Sequence, residues 1–302
     1  MDGYKRIPTA AASLGEAMAL GRAFWQLTKP RVVALLVLTA WVGMMLASEG
    51  WPDLGLMATA SLGIAMVSGA AAAFNHVLDH KIDARMARTR MRPLPTGRLS
   101  NAQAVSFAFA LAAGGFVLLL VAVNALTAWL TLAGLFGYAV IYTVFLKRAT
   151  PQNIVIGGVA GALPPVLGWT AMTGTVGAEA LLLMMIIFTW TPPHFWALAI
   201  HRVDDYRRAG LPMLPVTHGV DFTRTLVLLY TVLLLAVCLL PYLVGMSGLF
   251  YLVGSLALNL QFLRHAWRLK FAPRADTAIR AFRFSITHLM LLFLVLLVDH
   301  YL

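Results

Sequence analysis

The chain has 302 residues, 60% of them hydrophobic and only 12% charged, with a mean hydropathy of +0.81. Soluble domains carry roughly a quarter charged residues, so a water-soluble globule is excluded and an integral membrane protein is indicated. The formal net charge of +11 is spread over short loops between apolar runs. That pattern excludes a nucleic-acid surface and points to topology, anionic headgroups and an anionic substrate.

Residues 1–26 lack the continuous apolar run and cleavage pattern of a signal peptide. They read as a cytoplasmic N-terminal segment in which 10–24 form an amphipathic helix, ahead of a single intramembrane domain over 27–302. Nine apolar runs follow, near 32–48, 55–78, 102–123, 126–146, 153–173, 178–200, 223–244, 247–267 and 281–299. Each is long enough to cross a hydrocarbon core of about 30 Å. The short alternating segments of a barrel are absent, which leaves helices as the spanning solution. The expected fold is an all-α membrane bundle of about nine transmembrane helices around a central cavity, with Asp-rich cytoplasmic loops after helices two and six.

All 23 Lys and Arg fall in the N-terminal segment or after spans two, four, six and eight. The opposite loops carry Glu49, Asp53, Glu179 and Asp299 and no basic residue. The positive-inside rule then puts the N-terminus in the cytoplasm and the C-terminus outside. Pro164-Pro165 and Pro192-Pro193 are expected to break spans five and six, because proline removes a backbone bond. Gly157-Gly158, Gly161 and Gly168 on span five are expected to let helices approach closely. The single cysteine, Cys238, lies in an apolar span and excludes an intrachain disulfide.

The most informative stretch is Asn75-His76-Val77-Leu78-Asp79-His80-Lys81-Ile82-Asp83, followed by Arg85, Arg88, Arg90 and Arg92 and then Pro93-Leu94-Pro95. Asn75, Asp79 and Asp83 stand four residues apart, in one stripe of a helix with about 6 Å of rise between neighbours. Two acids on a stripe suit a hard divalent cation that keeps waters and also binds phosphate oxygens. Asp79, Asp83 and Asn75 are therefore the candidate Mg²⁺ ligands. Arg88, Arg90, Arg92, Lys147, Arg148 and Arg202 are candidate diphosphate holders, since guanidinium matches phosphate in a bidentate fork. Lys81 points away from the stripe and marks topology. His76 and His80 have metal-compatible spacing, with a packed histidine pair as the plainer reading.

The loop after span six repeats the grammar of the first. It reads His201-Arg202-Val203-Asp204-Asp205-Tyr206-Arg207-Arg208, then Pro212-Met213-Leu214-Pro215. Repeated elements facing each other are a known way to build intramembrane sites, so the two loops are expected to meet across a cavity. Asp204 and Asp205 join the candidate catalytic set of Asn75, Asp79 and Asp83. Being adjacent on a helix, they point in different directions.

The Asn75-x3-Asp79-x3-Asp83 pattern with its arginines resembles the first aspartate-rich motif of the UbiA-type intramembrane prenyltransferases. Thr189 through Leu198, Asp205-Tyr206-x2-Ala209-Gly210, Thr28-Lys29-Pro30-Arg31 and Gln152 through Gly158 are similar to the heme-prenylating branch of that family. The resemblance covers about residue 24 to the end. It implies a Mg²⁺-dependent transfer of farnesyl from farnesyl diphosphate to a vinyl group of heme b, with addition of water, in a bacterial cytoplasmic membrane. It also implies His194 and His201 as groups near the porphyrin, and a heme A synthase or terminal oxidase assembly as recipient of the product. Where many relatives have Asp, His194 and His201 stand here, which thins the second acidic motif. An aromatic or quinone-precursor acceptor on the same architecture, and a transporter with broken helices, are the rival readings.

Overall fold

In the computed structural model, residues 10–302 are described, with side-chain surroundings given from residue 15. The first nine positions of the expected segment 1–26 lie outside the described residues. All regular structure among the described residues is helical. In chain order the helices are α1 (Ala10–Leu27), α2 (Pro30–Leu46), α3 (Leu54–Leu78), α4 (His80–Asp83), α5 (Asn101–Ala122) and α6 (Ala125–Phe136). A π-helical stretch over Gly137–Leu146 follows, then α7 (Lys147–Ala149), α8 (Asn153–Ala162), α9 (Pro164–Thr173) and α10 (Ala178–His201). The chain ends with α11 (Val203–Arg208), α12 (Leu214–Thr217), α13 (Val220–Leu243), α14 (Leu249–Phe271) and α15 (Thr277–His300).

Local chemistry starts these helices where the sequence has cap residues. Asp53 accepts from the backbone N–H groups of Gly55 and Leu56 at 2.8 and 3.1 Å ahead of α3. Ser100 and Gln103 form a reciprocal capping box on α5, and Asn124 accepts from Thr127 at 2.8 Å on α6. Each cap satisfies donors that the first helical turn leaves free.

Seven helical segments among the described residues are long and apolar enough to cross a membrane, and the bent α1–α2 pair makes up to eight. This differs from the nine expected. The segment that drops out is α14, whose second half carries Asn259, Gln261, Arg264 and His265 and is too polar for a lipid-facing span by composition alone. It is nonetheless packed between α13 and α15.

Span five is broken at Leu163, between α8 and α9, as the Pro164-Pro165 pair requires. Span six is not: α10 runs unbroken through Pro192 and Pro193. A proline in a helix frees a carbonyl one turn back, and neighbouring helices can absorb that cost. Here α8, α13 and α15 all pack on α10.

Glycines set the closest helix approaches. A Cβ on Gly168 would overlap the Ala40 carbonyl, and one on Gly43 the Pro165 carbonyl, so α2 and α9 touch backbone to backbone. Gly157 makes room in the same way for the Tyr142 ring, and Gly158 for Thr191. Gly161 does not serve a helix contact, because nothing lies within 4 Å of a Cβ placed there.

Candidate active site

The acidic stripe lies across a joint between two helices. α3 ends at Leu78 and α4 begins at His80, yet Asp79 N–H donates to the Asn75 carbonyl at 2.9 Å and Asp83 N–H to the Asp79 carbonyl at 2.8 Å. The four-residue spacing therefore survives the joint. Asn75, Asp79 and Asp83 are all buried, at 4%, 1% and 3% exposure, where an unpaired carboxylate would be strongly disfavoured.

Each acid is met by a base, one from a distant helix and one from its own loop. Lys147 Nζ lies 2.5 Å from Asp79 Oδ2, and Arg92 Nη1 lies 2.6 Å from Asp83 Oδ2. Asn75 Nδ2 donates to Asp79 Oδ2 at 2.9 Å and to Thr143 Oγ1 at 3.1 Å. Its carbonyl oxygen accepts from Lys29 Nζ at 2.6 Å. Arg148 reaches the Leu78 carbonyl at 3.0 Å, closing the same helix end. Arg92 is held in place because its loop folds back: Leu94 and Leu99 pack with Leu27, Ala73 and Ala104, and Thr96 Oγ1 donates to the Arg92 carbonyl at 2.8 Å.

Lys29, Tyr138 and Thr143 were absent from the candidate set. Lys29 is the only non-glycine residue with positive φ among the described residues, at φ 50°. Backbone strain of this kind persists where its surroundings over-determine it, and it collects at functional sites. Its ammonium also lies 3.3 Å from the Tyr138 hydroxyl. Tyr138 and Thr143 come from the π-helical stretch, where Thr143 Oγ1 donates to the Tyr138 carbonyl at 2.8 Å. Widening of a helix by such a turn recurs at functional sites. Lys29-Pro30 at the head of an apolar span was the visible signal; the π stretch has no sequence mark.

An apolar chamber opens beneath this network. α2, α3, α6, α8 and α9 wall it, Lys29 and Tyr138 line its polar end, and its cavity volume is about 160 Å³. Val33, Leu36, Val67, Ala71, Leu135 and Leu163 are among the walls.

The second loop does meet the first. Met86 packs in one cluster with Tyr206, Ala209, Leu211 and Met213. Burial raises the Tyr206 phenol above its usual range, with the Arg88 guanidinium opposing that shift. The two aspartates diverge as their adjacency requires. Asp205 is buried and pairs with Arg208 at 2.6 Å and Arg202 at 3.6 Å. The Asp204 side chain is 71% exposed and pairs only with Arg207, at 2.7 Å.

The other candidates stand apart from the acidic network. Arg88, Arg90 and His201 are exposed. His194 sits between Trp190 and Phe282, with ring centroids 4.1 and 4.7 Å away, and its Nδ1 lies 2.6 Å from Ser285 Oγ. That is an α10–α15 packing position. His76 is buried with neither ring nitrogen bonded.

The donor set fits a hard cation. Asp79 Oδ1 is buried and has no partner, while Asp83 and Asn75 supply further oxygen. Among the described residues no three His, Cys, Asp or Glu side chains converge. A cation here would complete its shell with water and phosphate oxygens, the habit of Mg²⁺ and not of a protein-caged metal.

The described residues form an intramembrane helical bundle with a base-neutralised acidic site beside an apolar chamber. Residues 36–295 match the model of the UbiA prenyltransferase family. The chain belongs to that family and is a multi-pass membrane prenyltransferase. It is 62% identical over 280 residues to the protoheme IX farnesyltransferase of Idiomarina loihiensis, covering 93% of this chain and 94% of that one. The solved structure of a digeranylgeranylglyceryl phosphate synthase superposes with a TM-score of 0.78 at 18% identity, over 93% of this chain and 98% of that one. A UbiA homologue from Archaeoglobus fulgidus bound to GPP and Mg²⁺ gives a TM-score of 0.62 at 17% identity, over 91% and 99%.

Proposed function

We propose that this protein transfers the farnesyl group of farnesyl diphosphate to a vinyl group of heme b, with addition of water. The observation that carries the transfer is the Lys29–Asn75–Asp79–Lys147 network at the head of an apolar chamber. The heme acceptor rests on the identity to protoheme IX farnesyltransferases. An aromatic acceptor on the same fold is the alternative that the assay below separates.

Asp79, Asp83 and Asn75 would hold Mg²⁺, which when bound supplies positive charge against the departing diphosphate. Lys29, Lys147, Arg92 and Arg148 bring fixed cationic donors to the same place, so charge that develops on the leaving oxygens meets preorganised partners. The allylic C–O bond breaks as the vinyl carbon of the porphyrin attacks C1. The cation left beside the ring takes up water and loses a proton. The chamber walls keep water away from the allylic carbon until the acceptor is in place. Lys147 and Arg92 hold the two carboxylates that would be the ligands of a bound Mg²⁺. Asp205, with Arg202 and Arg208, closes the head site from the opposite loop; Arg88 and Arg90 gather the anion from solvent.

The charge pattern of the loops supports a cytoplasmic N-terminus and an external C-terminus in a bacterial inner membrane. His194 and His201 are porphyrin-side residues in this reading, and transfer of the product to a heme A synthase or oxidase assembly would follow from it.

The test is to incubate purified protein in lipid with heme b, farnesyl diphosphate and Mg²⁺ and to weigh the porphyrin. A product heavier by farnesyl and the elements of water, absent in Asp79→Asn and in metal-free samples, is expected. Unchanged heme with prenylation of 4-hydroxybenzoate instead would overturn the acceptor.

A further inference from the structure

α14 and α15 run as an antiparallel hairpin whose register is fixed at two points. Gly254 stands against Val295. Eleven residues away from that contact in both helices, His265 stacks on Phe284 with ring centroids 4.7 Å apart. In this register Arg268 comes level with Ala281, next to Arg280, and Arg264 comes level with Ser285, two residues from Arg283. Four guanidiniums therefore gather at the closed end of the hairpin. Ala266, Leu269 and Ala278 of this end pack in the cluster that holds Met86 and Tyr206, so it lies at the same membrane face as the acidic site.

The outward sides of both helices change character at one level. On α14 the exposed residues run Val253, Leu260, Arg264, Trp267, Arg268 and Phe271, whose spacings of three, four and seven put them on one stripe. On α15 exposed Leu294 and Met290 give way to Arg283 and Arg280 in the same direction. Trp267 stands about 27 Å along α14 from Leu249, close to where a hydrocarbon core of about 30 Å ends. Its ring lies 4.2 Å from that of Phe271, and aromatic residues of this kind mark the headgroup level.

Between the two helices this end holds a cavity of about 220 Å³, lined by His265, Arg268, Arg274, Asp276, Thr277 and Arg280 among others. Its turn is fixed by its own backbone. Arg274 N–H donates to Thr277 Oγ1 at 2.8 Å, and Thr277 N–H donates to the Arg274 carbonyl at 3.1 Å. Asp276, the single acid of the lining, pairs with Arg280 at 2.5 Å. Among the described residues Arg264, Arg268, Arg274 and Arg283 enter no ion pair.

We propose that this pocket holds the phosphate of an anionic phospholipid, with its acyl chains along Leu260 and Val253 on α14 and along Met290 and Leu294 on α15. Basic pockets between membrane helices recognise such headgroups, and the guanidinium fork matches phosphate oxygens. A zwitterionic headgroup brings a cation that the unpaired arginines repel. A porphyrin would also bring carboxylates, but its acceptor carbon has to reach the acidic site, whereas these arginines continue two stripes that face lipid. The site does not depend on which acceptor is prenylated.

The test is native mass spectrometry of the full-length protein. The chain is reconstituted in vesicles of equal parts phosphatidylglycerol and phosphatidylcholine, moved into mild detergent, and weighed with the lipid it retains. Wild type should keep phosphatidylglycerol in preference to phosphatidylcholine. In Arg268→Gln with Arg274→Gln that preference should fall on the order of tenfold, since each basic residue near an anionic surface contributes about a fivefold preference. Lys81→Gln with Arg85→Gln removes the same charge from exposed positions at the same face and should leave the preference unchanged. Arg268→Lys with Arg274→Lys should keep most of it, which separates loss of charge from loss of fold.

Equal retention of the two lipids by wild type would overturn the site, as would an equal fall in the Lys81 and Arg85 control. Displacement of phosphatidylglycerol by heme b would also overturn it and reassign the arginines to the porphyrin carboxylates. Prenyl transfer does not enter the readout, so the lipid site stands or falls apart from the reaction.

Discussion

The two acidic loops share a grammar and differ in how their charges are satisfied. In the first, Asp79 and Asp83 are buried and paired with Lys147 and Arg92, 68 and 9 residues away. In the second, Asp204 and Asp205 pair with Arg207 and Arg208, three residues on along the same short helix. The Asp79–Lys147 pair, closed between separate helices, positions its carboxylate only when the bundle is folded. A pair closed within one turn forms wherever that turn forms, and the exposed one of the two, Asp204–Arg207, contributes little. The repeat therefore differs in where its partners come from: Asp79 is fixed by a residue of another helix, Asp204 and Asp205 by residues of their own turn.

The sharpest way to break that contrast is at Asp79. Asp79→Asn keeps the shape and removes the charge, and product formation should fall on the order of 100- to 1000-fold, the usual cost of losing a preorganised electrostatic partner. An equal loss in Asp204→Asn would erase the distinction between the loops. Next comes Lys147→Met, which strands a buried carboxylate. The apparent melting temperature in detergent should drop, in line with a cost of about 3–5 kcal/mol, and Mg²⁺ with diphosphate should recover part of the loss by giving Asp79 a new partner. No recovery would argue that Asp79 does not meet the cation.

Lys29→Met probes the third partner. Loss of a charged hydrogen bond of about 1.5–3 kcal/mol should raise the KM for farnesyl diphosphate roughly tenfold or more, with little change in melting because a strained backbone position is not made worse. A change in kcat alone would move Lys29 away from the substrate head. The smallest effect belongs to the second loop. Asp205→Asn should cost several-fold in kcat/KM, and Asp204→Asn should stay within about twofold with stability changed by less than about 0.5 kcal/mol.

Composition and pattern read well along this chain wherever a local rule decides. The break at Pro164-Pro165 follows from missing backbone N–H groups, and α10 shows the limit of the same rule, because it runs on through Pro192-Pro193 while α8, α13 and α15 pack on that helix. Asn75, Asp79 and Asp83 were legible because four-residue spacing is a property of the helix itself. Gly168 was legible as a contact glycine, while Gly161 beside it in the same run faces open space; only the position of the neighbouring helices separates the two.

What the amino-acid order determined alone is the membrane character, the acidic stripe, the loop repeat and the segregation of charge, all of which depend on period and composition. What the tertiary structure decided is which base meets which acid, the arrival of Lys29 and Tyr138 beside Asn75, the seating of His194 between α10 and α15, and the apolar chamber. These depend on where separate helices come to rest against one another. That placement is set by packing summed over the whole bundle, which no single stretch of sequence carries.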